Sequence, residues 1–501
     1  MYPIDFFLRA AARFRDRIAL DTPQGTWTYE RLRRESLALA TALQALDPTP
    51  QSRVAICAGN TAQHVVALLA VIASGKIWVP LNYRSTKPEI ARILGATEPS
   101  IVVTDSTGDA LMDFGQTTHI RLEAQTGEHA LASLLRAYEG RSPVRCEPGT
   151  DATQAIKFTG GTTGLPKGVM QPYRAWTAGI VNQIHAWGLT SEDRYVVAAP
   201  ITHGTSTYLM PVLAQGGTHV FLDTSSPATI TEAFRERGGT LSFMPPTLIY
   251  MIMAQPGVSR ADFPKLRNLI YGGAPMPIEK FEQVRAFFGP VVGSTYGQTE
   301  SPQIVTAITP ADFEDPANLG SVGCVTWFSE FAIMDRDGRI QPAGQAGEVV
   351  VRGDLVMTGY WRLPEKTAET LVDGWLHTGD VGVVDERGYL YIKDRLRDVV
   401  ITGGFNVYPI DVENALAQHP AVYECAVFGI PDDKWGEAVQ AAVQLHPGAT
   451  TDAQDLMMFV RDRLGPVQTP KRIHFMDSLP RSSVGKVLKN VVRDSVTKEI
   501  A

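Results

Sequence analysis

The chain has 501 residues, of which 44% are hydrophobic and 20% are charged, and its formal net charge is −7. This length exceeds what one hydrophobic core organises, so two or more domains are expected. The composition is typical of globular proteins in water, and the negative charge argues against broad binding to nucleic acids.

Short apolar runs alternate with helical patterns through the first part of the chain. The candidate strands lie at residues 54–57, 78–81, 101–104, 195–199, 218–222 and 269–271. A buried helix is expected at residues 64–74. Strands that alternate with helices are typical of α/β architecture with parallel sheets.

The pattern changes after Gly320. The turn pairs Asp337-Gly338 and Arg387-Gly388 separate β-prone runs, which predicts hairpins in a small, mainly antiparallel subdomain. The charged stretch at residues 394–398 is a candidate linker. Beyond it the expected elements are two helices and a strand, at residues 412–418, 452–463 and 426–428.

The cysteines and the apolar runs bear on the cellular compartment. The four cysteines are far apart and form no C-x-x-C pair: Cys57, Cys146, Cys324 and Cys425. This spacing predicts neither a zinc site nor a disulfide framework, and it suits a reducing, cytoplasmic setting. The amphipathic N-terminus lacks the features of a signal peptide, and the longest apolar run, residues 65–74, is too short to span a bilayer.

Residues 158–168 read FTGGTTGLPKG and are the most informative segment of the chain. Glycines let the backbone approach an anion, successive N–H groups form an anion-binding concavity, and Lys167 adds a point charge suited to phosphate. Because Gly168 and Val169 follow Lys167, the segment does not fit the Walker pattern G-x-x-x-x-G-K-[ST]. It is either a polyphosphate loop of another kind or a surface loop rich in Gly and Thr.

Five further motifs follow this loop. They are YGGAP at residues 271–275, YGQTE at 296–300, TGD at 378–380, DRLRDVVITGGFNVYP at 394–409 and RSSVGK at 481–486. In this order they resemble the adenylate-forming superfamily of acyl-CoA synthetases, nonribosomal-peptide adenylation domains and luciferases. The resemblance covers the chain from about Asp16 to its C-terminus.

The resemblance implies both a fold and a reaction. Residues 1–394 would form a large N-terminal AMP-binding domain of packed sheets flanked by helices, with a small β subdomain. Residues 395–501 would form a small, mobile α+β domain, with a hinge near Arg397. Family members activate a carboxylate with ATP to give an acyl-adenylate and pyrophosphate, and a thiol then displaces AMP.

The resemblance also implies the phosphate and metal contacts. The residues that would hold the β- and γ-phosphates are Thr159, Gly160, Gly161, Thr162, Thr163, Gly164 and Lys167. The family usually has Ser where this chain has Gly160, so one hydroxyl donor is lost. Glu300 resembles the Mg²⁺ ligand, and Thr299 would donate to the α-phosphate. Lys486 resembles the lysine that bridges the α-phosphate and the substrate carboxylate during adenylation.

AMP and coenzyme A would be held by the remaining motifs. The residues implied around the adenine are Gly272, Gly273, Ala274, Pro275, Thr295, Tyr296 and Gly297. Asp380 would accept both ribose hydroxyls, with Ile392 and Arg395 nearby. The small domain would rotate about Arg397, where the family usually has Asp or Lys. Pantetheine would then pass a loop of three residues, Gly403, Gly404 and Phe405.

The stretch at residues 200–211 corresponds to the family's segment beside the acyl carboxylate, with His203 at the gate position. The other residues implied for the acyl pocket are Gly204, Thr205, Tyr208, Tyr271, Gly272, Gly293, Gln298 and Pro302. Several are small, which predicts space for a ring or a medium-length chain. No aspartate lies between Ala198 and Phe221, which argues against an amino-acid substrate. No lysine or arginine lies in the pocket segments, which disfavours a dicarboxylate.

The sequence therefore predicts an acyl-CoA synthetase that uses ATP and Mg²⁺ and acts on an aromatic or medium-chain fatty acid. One alternative is an adenylating enzyme that loads a carrier-protein thiol or uses the bare acyl-adenylate. Another is a non-catalytic nucleotide-binding protein of the same fold, which the joint presence of the charged motif residues disfavours. The expected partners are the acid, ATP and coenzyme A, with no nucleic acid, and the oligomeric state stays open, a homodimer included.

Overall fold

The computed structural model describes residues 1–115, 117–159, 167–432, 434–481 and 487–500, with residues 498–500 described by their backbone alone. None of the helices in these ranges has the length and apolar character needed to cross a membrane.

The strands in chain order are β1 (Ile18–Thr22), β2 (Gly25–Thr28), β3 (Arg53–Cys57), β4 (Ile77–Leu81), β5 (Ile101–Thr104), β6 (Thr118–Arg121), β7 (Thr153–Phe158), β8 (Gly168–Pro172), β9 (Arg194–Val196), β10 (Thr218–Val220), β11 (Leu241–Met244), β12 (Asn268–Tyr271), β13 (Val292–Tyr296), β14 (Thr306–Ile308), β15 (Cys324–Val325), β16 (Ser329–Met334), β17 (Gly347–Gly353), β18 (Gly359–Tyr360), β19 (Leu371–Val372), β20 (Trp375–Val384), β21 (Leu390–Arg395), β22 (Val400–Thr402), β23 (Phe405–Val407), β24 (Val422–Asp432), β25 (Gly436–Leu445) and β26 (Arg472–Phe475). The α-helices are α1 (Pro3–Arg13), α2 (Tyr29–Leu46), α3 (Ala62–Ala73), α4 (Lys87–Thr97), α5 (Ser106–Asp109), α6 (Leu131–Ala137), α7 (Tyr173–Trp187), α8 (Ser206–Ala214), α9 (Pro227–Glu236), α10 (Pro246–Met253), α11 (Ile278–Phe288), α12 (Pro364–Thr370), α13 (Pro409–Ala417), α14 (Ala453–Leu464) and α15 (Lys489–Ile500).

Two largely parallel sheets form the N-terminal part of the molecule. The first has the strand order β18-β8-β7-β4-β3-β5-β6, and the second has the order β15-β14-β13-β12-β11-β9-β10-β1-β2. Strand β4 is buried at every position, as expected where helices cover a parallel sheet on both faces. Helix α3 is apolar and almost entirely buried, which is typical of a helix enclosed by other elements. The predicted α/β architecture is therefore confirmed.

A smaller antiparallel sheet follows in the chain. Strands β16, β17, β20 and β19 pair in that order, and β21 pairs with β20. The turn pairs at residues 337–338 and 387–388 lie between paired strands, so the predicted hairpin chemistry is confirmed. The pairing of β20 with β21 sets Asp380 opposite Arg395.

The C-terminal segment has its own sheet and core. Its strand order is β23-β22-β25-β24, and β26 runs parallel to β25. Buried aliphatic residues between Val400 and Ile473 form a separate cluster beneath α13 and α14. The strand expected at residues 426–428 extends over the whole of β24, because it pairs with β25 along its length. The mobility of this segment stays a prediction.

Candidate active site

The YGGAP and YGQTE motifs follow neighbouring parallel strands. Residues 272–275 come directly after β12, and residues 297–300 come directly after β13. In parallel sheets, loops after adjacent strands meet at the carboxyl edge, where ligands bind. The backbones approach closely, because a Cβ added to Gly272 would lie 2.9 Å from the carbonyl oxygen of Thr295. The side chain of Thr295 is turned to the backbone, since its Oγ1 donates to the carbonyl of Gln303 at 2.7 Å.

Asp380 is the centre of a compact polar cluster. Its Oδ2 accepts hydrogen bonds from Tyr296 Oη and from Gln298 Nε2, each at 2.6 Å. Its Oδ1 lies 2.7 Å from Nε of Arg395. Burial and the Asp380 charge raise the pKa of Tyr296, so its hydroxyl stays a donor. Three motifs predicted from sequence therefore converge on one buried carboxylate.

Gln298, which the sequence assigned to the acyl pocket, contributes to this cluster, and its contact with an acid stays a prediction. Its amide also donates to the carbonyl of Thr378 at 2.9 Å, so both of these hydrogen bonds point toward the TGD motif. The reason is chemical, because a buried carboxylate requires donors and Gln298 supplies one.

A second polar chain joins Lys167 to Glu300 through a residue that sequence reasoning missed. Tyr360 Oη donates to Glu300 Oε1 at 2.8 Å and accepts from Lys167 Nζ at 3.0 Å. Burial and the Glu300 charge raise the pKa of Tyr360, which keeps this donor protonated. Tyr360 belongs to the short strand β18, which pairs with β8 just after Lys167. No local pattern around Tyr360 signals this role, because it depends on that pairing.

Glu300 was predicted to hold Mg²⁺. Within the described ranges, no three side chains of His, Cys, Asp or Glu come together as a metal site. A single carboxylate nevertheless suits Mg²⁺, which takes most of its ligands from substrate phosphates and water. The donor chemistry of Glu300 therefore fits this ion.

Several predicted ligands lie outside the described residues. They are Gly160, Gly161, Thr162, Thr163, Gly164 and Lys486. The two residues that flank the phosphate segment are hydrogen-bonded, since Thr159 N donates to the carbonyl of Lys167 at 3.1 Å. The base of the predicted loop is therefore closed.

The predicted gate residue lies in a break between two helical turns. A π-helical turn, Ile201–Thr205, precedes α8, and His203 within it has the non-helical angles φ −121° and ψ −122°. The imidazole is exposed and its Nδ1 lies 2.9 Å from Thr202 Oγ1. Desolvation by the surrounding side chains and repulsion from Lys157 lower the pKa of His203. The imidazole is therefore neutral at physiological pH.

Lys157 is a buried cation beside this turn that sequence reasoning did not single out. Its side chain is 8% exposed, and its Nζ donates to Ser206 Oγ at 2.8 Å. The rings of Trp78 and Trp176 lie 5.1 and 5.5 Å from Nζ. No ion pair joins Lys157 to a carboxylate among the described residues, and burial lowers its pKa to about 7. The pocket segments themselves contain no lysine, but strand β7 brings Lys157 against them.

Replacing Lys157 with methionine is expected to raise the free energy of unfolding by ~1 kcal/mol or more, which is roughly 2 °C in Tm. The reason is that an unpaired buried charge is removed. Below pH 7 Lys157 is charged in both the folded and unfolded states, so the full cost of burying the charge applies. Between about pH 7 and pH 10 Lys157 keeps its proton only in the unfolded state. The increase in the free energy of unfolding caused by Lys157→Met therefore becomes smaller as the pH rises. Thermal unfolding at pH 6 and pH 9 measures both effects.

Lys76→Met is the matched control, because this buried lysine has a partner. Its Nζ lies 3.6 Å from Asp47 Oδ2 and donates to Ser52 Oγ at 2.6 Å. Its loss leaves a carboxylate unpaired and should lower Tm. A comparable fall in Tm for Lys157→Met would contradict the assignment of Lys157 as an uncompensated charge.

The small residues of the predicted acyl pocket do not all leave space. Cβ atoms added to Gly204 and Gly272 would lie 2.5 and 3.0 Å from the ring of Phe243, which fills the gap between them. A Cβ on Gly293 would lie 2.7 Å from the ring of Trp187. Close packing against two aromatic rings therefore explains these glycines, and the space for a ring or a medium-length chain stays a prediction. Gly273, by contrast, has no atom within 4 Å of an added Cβ.

The other predicted pocket residues differ in exposure. Tyr208 is fully buried, and Tyr271 is 6% exposed at the end of β12. Thr205 is buried and its Oγ1 donates to the carbonyl of Ala199 at 2.6 Å. Pro302 is half-buried in the loop after β13. Their contact with an acid stays a prediction.

The loop predicted to meet coenzyme A is the turn between β22 and β23. Gly403 and Gly404 have φ of 57° and 83°, a region that favours glycine. Gly403 N donates to the carbonyl of Trp435 at 2.7 Å, and the Phe405 side chain is 62% exposed. The positive φ angles explain why glycine occupies positions 403 and 404. The role of this loop in the passage of the thiol stays a prediction.

The predicted hinge is flanked by a charged cluster that spans the C-terminal segment. Lys489 Nζ lies 2.7 Å from Glu413 Oε1 and 3.9 Å from Asp394 Oδ2. Burial raises the pKa of Asp394 to about 6 despite the nearby ammonium group. Arg397 is half-exposed, with its Nε 3.7 Å from Asp398 Oδ1. The end of β21 is therefore tied to α13 and α15 by charge.

Known families match almost the whole chain. Residues 7–361 match the AMP-binding enzyme family, and residues 411–486 match the AMP-binding enzyme C-terminal domain. A feruloyl-CoA synthase from Amycolatopsis sp is 35% identical over 475 residues, which is 93% of each chain. A fatty acid–[acyl-carrier-protein] ligase, ScoC from Streptomyces coeruleorubidus, is 34% identical and covers 94% of this chain and 91% of its own.

A solved structure agrees with these matches. The amide bond synthetase McbA from Marinactinospora thermotolerans has a TM-score of 0.90 and 32% identity, and the alignment covers 98% of this chain and 99% of that one. The resemblance predicted from the motifs is confirmed: the chain belongs to the AMP-binding enzyme family and is an AMP-forming acid–thiol ligase.

Proposed function

We propose that this enzyme is an ATP-dependent carboxylic acid–CoA ligase whose acid is aromatic or a medium-chain fatty acid. The observation that carries the proposal is the Asp380 cluster, in which Tyr296, Gln298 and Arg395 surround one buried carboxylate. Such a carboxylate is suited to accept the two ribose hydroxyls of ATP and AMP. The chain of Lys167, Tyr360 and Glu300 supports a neighbouring polyphosphate site.

The first step brings the acid carboxylate against the α-phosphate of ATP. Both groups are anionic, so the protein must neutralise charge and align the reactants. Lys167 would bind the outer phosphates, and Lys486 would offset charge on the transferred oxygens. Mg²⁺ held by Glu300 would neutralise further phosphate charge.

The proposed class of acid is supported by the apolar side chains around the predicted acyl pocket. Phe243 packs against Gly204 and Gly272, and the neutral imidazole of His203 lies on the same turn. These groups suit an uncharged ring or chain. The feruloyl-CoA synthase relative is consistent with an aromatic acid, and the carrier-protein ligase relative makes a protein thiol the second candidate.

A panel of acids incubated with ATP and Mg²⁺ tests the proposal. Release of AMP and pyrophosphate that requires both an aromatic or medium-chain acid and coenzyme A is the expected result. AMP formation only with a holo carrier protein would replace coenzyme A with that thiol. No AMP release with any acid would reject the ligase proposal.

Tyr360→Phe is expected to raise the Mg²⁺ concentration for half-maximal adenylation by roughly 3- to 10-fold, because one hydrogen bond to the Glu300 carboxylate is lost. Pyrophosphate exchange at varied Mg²⁺ measures this. Tyr389→Phe is the matched control, since Tyr389 Oη lies 3.2 Å from Asp312 Oδ1 outside the site. An unchanged Mg²⁺ dependence in Tyr360→Phe would remove Tyr360 from the positioning of Glu300.

A further inference from the structure

Two buried polar groups behind Phe243 lack hydrogen-bond partners. Tyr208 is 0% exposed and Gln183 is 1% exposed. Neither Tyr208 Oη nor Gln183 Nε2 has a partner among the residues that the structure describes. Tyr195 Oη, on the ring that stacks against Tyr208, also lacks a partner among these residues. Buried hydroxyl and amide groups are nearly always hydrogen-bonded, so this group of neighbouring donors calls for an explanation.

The orientation of the Gln183 amide is fixed by its neighbour. Trp187 Nε1 donates to Gln183 Oε1 at 2.7 Å. An indole N–H can only donate, so the oxygen of the amide must face Trp187 and the NH₂ group must point elsewhere. The NH₂ group of Gln183 is therefore directed away from Trp187.

Tyr208 offers a third donor close by. The side-chain amides of Gln303 and Gln183 direct N–H groups toward its hydroxyl oxygen, and these contacts act to lower the pKa of Tyr208. Burial outweighs this effect and holds the pKa of Tyr208 well above its ordinary value, so the hydroxyl stays protonated. The two side chains together therefore present donors.

These donors are continuous with the predicted acyl pocket. The ring of Tyr208 stacks on that of Phe243 at 5.5 Å between centroids. Phe243 in turn packs against Gly204 and Gly272, and Trp187 packs against Gly293. A line of contacts therefore runs from the turn that carries His203, past Phe243, to Tyr208 and Gln183.

The ammonium group of Lys157, beside the turn that carries His203, does not lie on the same side of α8 as Tyr208. Lys157 reaches Ser206, which lies two residues before Tyr208 on helix α8. Residues two apart on a helix point to nearly opposite faces, because each residue turns the helix by about 100°. The donors of Tyr208 and Gln183 are therefore not accompanied by Lys157, and they suit a neutral oxygen better than a second carboxylate.

We propose that Tyr208 and Gln183 form the polar end of the acyl pocket, and that the acid carries a neutral acceptor oxygen remote from its carboxylate. A hydroxyl, carbonyl or ether oxygen on the ring or chain has this chemistry. The acid would reach the donors when the ring of Phe243 turns aside. This inference rests on the ligase proposal and adds the substrate class to it.

Matched pairs of ring acids, with and without a single remote hydroxyl or methoxy group, test the inference with the full-length enzyme. The native enzyme is expected to favour the oxygen-bearing member of a pair in kcat/KM for AMP release. Tyr208→Phe should lower kcat/KM for that member by roughly 10- to 100-fold and leave the oxygen-free member unchanged or improved. Gln183→Met should likewise lower the ratio of kcat/KM for the oxygen-bearing acid to kcat/KM for the oxygen-free acid.

Tyr173→Phe is the matched control. Tyr173 is also buried, and it loses the same hydroxyl group beside Gln51 and Tyr2. The ratio of the two acids should not change in this variant. An equal loss for both acids in Tyr208→Phe, or no preference in the native enzyme, would overturn the inference while AMP release itself still supports the ligase. No AMP release with any acid would instead reject the proposed function.

Discussion

Asp380→Ala is expected to lower kcat/KM for ATP by roughly 10²- to 10³-fold, mainly through a higher KM. Hydrogen bonds to a charged acceptor contribute about 1.5–3 kcal/mol each, and two ribose hydroxyls would lose such an acceptor. The variant also leaves Arg395, Tyr296 and Gln298 without the oxygen atoms that they now contact. Pyrophosphate exchange at varied ATP concentrations measures the effect.

Glu386→Ala is the control for this prediction. Glu386 is an exposed carboxylate in the turn between β20 and β21, on the same hairpin as Asp380. It should leave the KM for ATP unchanged. A change in KM for ATP below threefold in Asp380→Ala would show that this carboxylate does not bind the ribose.

Lys486→Ala is expected to lower adenylation by roughly 10³-fold, because the proposed role of Lys486 is to offset charge on the transferred oxygens. Release of the acyl group from a supplied acyl-adenylate to coenzyme A should be much less affected, since the α-phosphate has by then reacted. The two half-reactions are measured separately, by pyrophosphate exchange and by thioester formation.

Lys471→Ala is a suitable comparison for Lys486→Ala. Lys471 is an exposed lysine of the same C-terminal segment, and its Nζ donates to the carbonyl of Pro466 at 3.3 Å. Both half-reactions should survive in this variant. Equal losses in the two half-reactions of Lys486→Ala would contradict a role confined to adenylation.

The site could be predicted from sequence wherever its chemistry lies in a short motif. Asp380, Arg395 and Tyr296 belong to three motifs, and the structure brings them within hydrogen-bonding distance. Gln298 also belongs to a motif, and its hydrogen bond to Asp380 is a contact that the motif did not predict. Spacing along the chain identifies a motif, yet it does not say which neighbour a side chain of that motif will contact.

The residues that sequence reasoning missed all act through pairing or packing. Tyr360 reaches Glu300 because β18 pairs with β8, and Lys157 reaches Ser206 because β7 lies against the turn before α8. Phe243 fills space that adjacent glycines provide. None of these contacts leaves a trace in the local pattern of the chain.

The sequence by itself therefore determined the fold class, the family and the reaction. Alternating apolar periods specify strands and helices locally, and phosphate chemistry requires glycines and charged residues at short spacings, as in residues 158–168. Only the tertiary structure decided which groups from outside the motifs lie close together. Lys157 has no ion-pair partner in the described part of the chain, and Tyr208 and Gln183 lie buried as hydrogen-bond donors. The physical reason is that burial and hydrogen-bond satisfaction depend on every element packed around a group, and those elements come from distant parts of the chain.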